Sequence, residues 1–234
     1  VMLFFSAILS NLAPVLILPL FYKFVPLDDA DLAARLTRLF EQAGTHVRGV
    51  YRFDMSSKTV QANAAVVGLG NTRRIVLGDT LLGHFTADEI ETVLAHELGH
   101  HVHGDLGKNI LVGSVLTLGG LWLAGQALSS GVAAFGFDGL ADVAAMPLLV
   151  LALAAFELVT MPLGNTYSRW RERLADRYAL ETTCKPGAFA SAMTRLANQN
   201  LADADPERWV EIVLHSHPAI SRRVAMAKDF VSDD

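Results

Sequence analysis

Three long stretches with almost no charge limit what this chain can fold into. Val1–Tyr22 meets no charged side chain before Lys23, and Asn109–Phe137 has none between Lys108 and Asp138. Val143–Ser168 is broken only by Glu157. About 20 consecutive apolar residues cross a bilayer as a helix, so each stretch reads as a transmembrane helix. Pro14 and Pro19 kink the first, and neighbouring helices compensate. The glycines of the second allow close helix packing. The 52% hydrophobic content and mean hydropathy of +0.34 are high for a soluble domain. A buried helical hairpin of a soluble protein is the competing reading for the second and third stretches. Because it opens at Val1 inside an apolar run, the chain is expected to be a fragment.

Charge and cysteine content exclude several classes. The net charge of -5 gives no sign of a nucleic-acid partner. The single Cys184 excludes an internal disulfide and a Cys-rich zinc module, and it reads as structural.

The polar segments carry ordinary start and stop signals. Asp28 or Asp29 caps a helix through roughly Ala43, with Leu32, Leu36, Leu39 and Phe40 on its apolar stripe, and Gly44 ends it. Val47–Asp54 reads as a strand, Ser56–Asn63 as a loop, and Ala64–Val67 and Ile75–Leu77 as two short strands joined by a Gly-rich hairpin. Thr86-Ala87-Asp88-Glu89 is a capping box ahead of an apolar run. Helices are expected over Phe189–Asn200, Pro206–His215 and Ile220–Phe230.

The helix begun at Thr86 carries His96-Glu97-Leu98-Gly99-His100. Positions four apart share a helix face, so His96 and His100 can grip one metal ion. Zinc suits imidazole ligands and brings the pKa of its bound water towards neutrality. Glu97 sits beside that face, where it can take a proton from that water. Catalytic zinc usually keeps three protein ligands. His103 is a further turn along, and Leu106 stands where a third histidine would complete a His-x-x-Gly-x-x-His extension, so His101 and His103 read as helix-end residues. Glu172 is the better third ligand. It shares a face with Asp176, which could accept the free N–H of a ligand histidine. Solvated ion pairs with Arg169, Arg171 and Arg173 are the bland alternative, and Glu157 is the rival ligand. His217 could donate to an oxyanion, and Arg223 could pair with Glu172, Asp176 or a substrate carboxylate. A cap and a surface base are equally open readings of these two.

The turn Ser129–Asp142 holds Asp138 and Asp142 but no Lys or Arg, whereas Lys23, Lys108, Arg169, Arg171 and Arg173 flank the opposite ends. By the positive-inside rule the metal-bearing side faces the cytoplasm.

Together these residues resemble the type I CAAX prenyl protease family, integral-membrane zinc endopeptidases of the gluzincin kind. The resemblance rests on His96–His100, on Glu172-Arg173-Leu174-Ala175-Asp176, on His217-Pro218 with Arg223, and on Asn63-Ala64 with Asn71–Leu82. It implies a mainly α membrane protein with a zincin-like catalytic core, a short β-sheet edge and about three transmembrane helices. The expected segments are a helix over 1–25, a cytoplasmic part over 26–108, a helical hairpin over 109–168 and a second catalytic part over 169–234. It implies one zinc per chain at His96, His100 and Glu172, and Glu97 as general base and acid. It also implies a peptide edge at Asn63, Ala64, Ala65 and Val66 that lies beside the zinc helix. The implied substrate is a peptide or protein, prenylated in that family. A heat-shock membrane protease and a scaffold with structural zinc remain alternatives. Ala219 and Asp105 depart from the family pattern, and neither is expected to touch the zinc ligands.

Overall fold

Asp29 starts the first helix as the sequence predicts, its side chain accepting from Leu32 N at 2.9 Å. The computed structural model describes residues 22–68, 70–201 and 203–232. The first apolar stretch therefore lies outside the described residues except for Tyr22. In order the elements are β1 (Phe24–Pro26), α1 (Ala30–Gln42), β2 (Val50–Phe53), β3 (Ala64–Val67), β4 (Arg74–Gly78), α2 (Asp79–His84), α3 (Ala87–Val102), α4 (Asp105–Phe135), α5 (Met146–Thr183), α6 (Pro186–Gln199), α7 (Arg208–Leu214) and α8 (Ile220–Ser232).

Two compact units share the chain. The first comprises the described residues through Asp105, Arg171–Pro206 and the described residues from Pro218 on. Its sheet has the order β1-β2-β4-β3. β4 pairs parallel with β2 and antiparallel with β3, which leaves β3 as an edge strand. Leu36 and Phe40 of α1, Ile75 and Leu77 of β4, Leu94 and Leu98 of α3 and Phe189 of α6 are completely or almost completely buried together. Gly44 ends α1 with φ +68, a left-handed conformation that costs glycine little.

The capping box forms at the head of α3. Thr86 Oγ1 accepts from Glu89 N at 3.3 Å, and Glu89 Oε2 accepts from Thr86 N at 2.7 Å. α3 packs against β3, α1 and α6. Its start is therefore fixed both locally and by the core.

The second unit comprises Leu106–Trp170 and Glu207–His217. Within it, Gly120 lies against Phe156 and Gly131 against Leu148, so glycines bring the two long apolar helices close. These helices are long and apolar enough to cross a membrane, yet only 11% and 6% of their most apolar windows are buried. Leu111, Trp122, Leu151 and Val159 are all exposed. These exposed apolar faces favour the membrane-crossing reading over the buried hairpin, because a soluble core helix would hide such side chains. Arg169 holds α7 in the same unit, donating to Glu211 O at 2.7 Å and His215 O at 2.6 Å. A cation on terminal carbonyls is a common way to finish a helix.

Candidate metal centre

Two helices supply the centre, each with a pair of residues four apart. His96 and His100 lie on α3, and Glu172 and Asp176 on α5. α3 and α5 approach closely because Gly99 faces Ala175. His96, Glu172 and Asp176 are buried, and His100 and Glu97 are half-buried.

The ligand atoms of His96, His100 and Glu172 all lie within 4.8 Å of one another. His96 Nε2 is 3.2 Å from His100 Nε2 and 3.4 Å from Glu172 Oε2. His100 Nε2 is 3.3 Å from Glu172 Oε1. The far side of each ring faces a carboxylate: His96 Nδ1 is 2.8 Å from Asp176 Oδ1, and His100 Nδ1 is 2.7 Å from Asp105 Oδ2. Each carboxylate accepts from the ring N–H and so turns the Nε2 lone pair inward. Two imidazole lone pairs and a carboxylate then converge, an arrangement that only a shared proton or a cation relieves. The donor set and spacing fit a divalent ion of the zinc kind.

Electrostatics agree. Burial opposes charge on His96, but the hydrogen bonds to Asp176 and Glu172 outweigh it and push the pKa up to about 9. Burial likewise opposes charge on Asp176, yet the Arg223 guanidinium and His96 hold its carboxyl below the usual range. Arg223 Nε donates to Asp176 Oδ2 at 2.8 Å, and Nη2 donates to Oδ1. Of the partners left open for Arg223, Asp176 is therefore the one it meets through both ends of its fork.

The rival acid Glu157 is exposed. It lies on the part of α5 that belongs to the second unit. His103 caps the C-terminus of α3, and its ring meets Tyr178 edge-on at 5.9 Å. His217 is exposed in the connection between α7 and α8. Asn63 precedes the edge strand β3, with its carbonyl bonded to Gly78 N at 2.9 Å. Ala64, Ala65 and Val66 follow within that strand, against α3.

One expectation is overturned. Asp105 does touch a candidate ligand, through His100, and it also accepts from Arg171. The sequence signal was available: an acid follows the glycine that ends the histidine helix. Sequence distance alone hid the contact, because the turn at Gly104, φ +65, brings Asp105 back to the ring.

The comparisons with known proteins agree with this geometry. The profile of Peptidase family M48 matches residues 26–231. The "Uncharacterized metalloprotease YhfN" of Bacillus subtilis (strain 168) is 33% identical over 232 residues, covering 96% of this chain and 54% of that protein. The CAAX prenyl protease 1 of Saccharomyces cerevisiae is 29% identical over 253 residues, covering 100% of this chain and 55% of that one. The crystal structure of S. mikatae Ste24p superposes with a TM-score of 0.85 at 26% identity, over 97% of this chain and 56% of that one. The chain thus spans about half the length of the relatives it matches.

Proposed function

This chain belongs to peptidase family M48, and from that membership we propose that it is the catalytic part of a membrane-embedded zinc metalloendopeptidase. The observation that carries the reading is the convergence of His96, His100 and Glu172, with Glu97 in the next position after His96. A structural zinc would be closed by a fourth protein ligand. Among the described residues the group comprises these three, which favours a centre open to solvent and substrate.

His96, His100 and Glu172 would hold one zinc ion. Bound there, zinc supplies Lewis acidity and a water acidic enough to attack at neutral pH. Glu97 accepts the proton of the attacking water and returns it to the leaving amine. Asp176 and Arg223 keep His96 turned towards the centre. His217 donates a hydrogen bond to the oxyanion that develops on the scissile carbonyl. An extended substrate adds to the free edge of β3 at Asn63, Ala64, Ala65 and Val66, through main-chain hydrogen bonds.

The bilayer surrounds the two long apolar helices, and the distribution of Lys and Arg at their ends supports a cytoplasmic catalytic side. Relatives named as CAAX prenyl proteases support a prenylated C-terminal peptide as the substrate class. The test is Glu97→Gln in the membrane-bound protein, assayed on a prenylated peptide and on its unprenylated twin. The variant is expected to retain zinc and to lose peptidase activity by several orders of magnitude. Full activity in Glu97→Gln would reject the mechanism, and faster cleavage of the unprenylated twin by the native chain would reject the substrate class.

A further inference from the structure

The two candidate ligand histidines are braced alike by different residues. His96 is backed by Asp176, which Arg223 grips. His100 is backed by Asp105, whose other oxygen accepts from Arg171. We propose that Asp105 is a positioning residue that holds His100 in its metal-binding tautomer, with Arg171 fixing which oxygen of Asp105 faces the ring. The proposal rests on the reading of His96, His100 and Glu172 as a zinc site.

Asp105 is the first residue of α4, and an acid at a helix start is ordinarily explained by the helix dipole. That explanation does not fit here. Asp105 is 3% exposed, and its oxygens meet a ring nitrogen at 2.7 Å and a guanidinium. A carboxylate serving the helix alone would face water or the backbone N–H groups of the first turn. The local backbone is built for the contact. His103 N bonds to Gly99 O at 2.9 Å and Gly104 N to His101 O at 3.0 Å. The left-handed Gly104 then reverses the chain, so that the fifth residue after His100 comes back to its ring. Arg171 immediately precedes Glu172. A single turn of α5 therefore carries both a zinc ligand and the group that fixes the opposite brace. A buried Arg–Asp pair is costly to desolvate, and orienting a ligand is a function that offsets the cost.

The consequence is specific. Arg171 Nη2 donates to Asp105 Oδ1 and, at a longer 3.4 Å, to His103 O, so residue 105 supplies its nearer acceptor. In Asp105→Asn the only oxygen would turn to Arg171, leaving the amide NH2 facing His100 Nδ1. His100 would then carry its proton on Nε2, pointing at the metal. Adding Arg171→Met frees the Asn oxygen to accept from His100 and restores the tautomer.

The experiment strips metal from the full chain in detergent and titrates zinc against a chromophoric chelator, with cobalt absorption reporting coordination number. Melting of the metal-free protein is followed in parallel. Asp105→Asn is expected to raise the zinc Kd about 10–100-fold. The Asp105→Asn/Arg171→Met pair is expected to return to within about tenfold of the native value. The Asp105→Leu/Arg171→Met pair has the same shape without an acceptor and is expected to stay weak. The last two variants carry the test if Asp105→Asn folds poorly. Equal zinc affinity in those two pairs, or native affinity in folded Asp105→Asn, would overturn the proposal. So would a fall in melting temperature with unchanged affinity, which marks a purely structural pin. A native chain that takes up no zinc would instead remove the metal site itself.

Discussion

Gly99 on the histidine helix lies so close to Ala175 on the acidic helix that a methyl group there would sit 3.0 Å from Ala175 Cα and 3.2 Å from its carbonyl oxygen. The contact sits between the two ligand pairs, so it sets how near the imidazoles come to Glu172. Gly99→Ala must push α3 and α5 apart by a few tenths of an ångström. Overpacking of this kind costs about 1–3 kcal/mol. The expected outcome is a lower melting temperature and a weaker zinc affinity together. Thermal unfolding with and without zinc checks it, and an unchanged affinity would show that this contact does not govern the centre.

Glu172 and Glu157 lie on one helix but differ in setting. Glu172 is buried beside both imidazoles, whereas Glu157 is exposed on an apolar segment. Glu172→Ala is expected to strip the protein of zinc at micromolar concentrations, and Glu157→Ala is expected to leave it loaded. Metal analysis of the two purified variants decides between them. Zinc retained by Glu172→Ala and lost from Glu157→Ala would exchange their roles.

Much of this arrangement was legible in the sequence because its signals are local. The Thr86–Glu89 capping box, the Asp29 cap and the four-residue spacings on α3 and α5 depend only on helix geometry. The pairing of Glu172 with the histidines was legible through chemistry, since a zinc site lacking a third ligand has to find one. Arg223 was left with several partners, because nothing local distinguishes Asp176 from Glu172 as its target. Geometry decides it: Arg223 donates through Nε and Nη2 to the two oxygens of the fully enclosed Asp176, and a buried carboxylate without a cation is strongly disfavoured. Asp105 is signalled only by its place directly after the helix-ending Gly104. Its contact with His100 depends on the backbone reversal at Gly104, and composition or periodicity cannot register one left-handed residue.

Arg223 is 9% exposed, and its guanidinium grips both oxygens of Asp176. Removing one partner of a buried pair leaves an uncompensated charge and costs about 3–5 kcal/mol. Arg223→Leu is therefore expected to lower stability by that order. Arg223→Lys keeps the charge but loses the planar fork, and it is expected to fold while binding zinc more weakly. Chemical denaturation of both variants, read beside their zinc affinity, separates the two contributions. A fully stable Arg223→Leu would show that Arg223 is not needed to compensate Asp176, leaving His96 as its partner.

Glu89 ties the head of α3 to α6. Its carboxylate accepts from Thr86 N at 2.7 Å, from Ser191 Oγ at 2.5 Å and from Arg195 Nε at 2.9 Å. Burial by itself would raise its pKa, but the hydrogen bonds from Ser191 and Thr86 and the Arg195 charge outweigh it and hold the carboxyl below its ordinary 4.5. A depressed carboxylate stabilises the fold above its ordinary pKa, and the contribution is lost as pH falls through the folded value. The native chain should therefore lose stability on acidification below about pH 4.5, where the unfolded state takes up the proton first. Glu89→Gln keeps the shape but weakens the charged bonds, at a cost of about 1–3 kcal/mol at neutral pH. Its stability is expected to depend less on pH across the acid limb than that of the native chain. Melting curves from pH 7 down to the acid transition measure both effects. Parallel acid limbs in the two proteins would show that Glu89 is not the group whose protonation loosens the junction of α3 and α6.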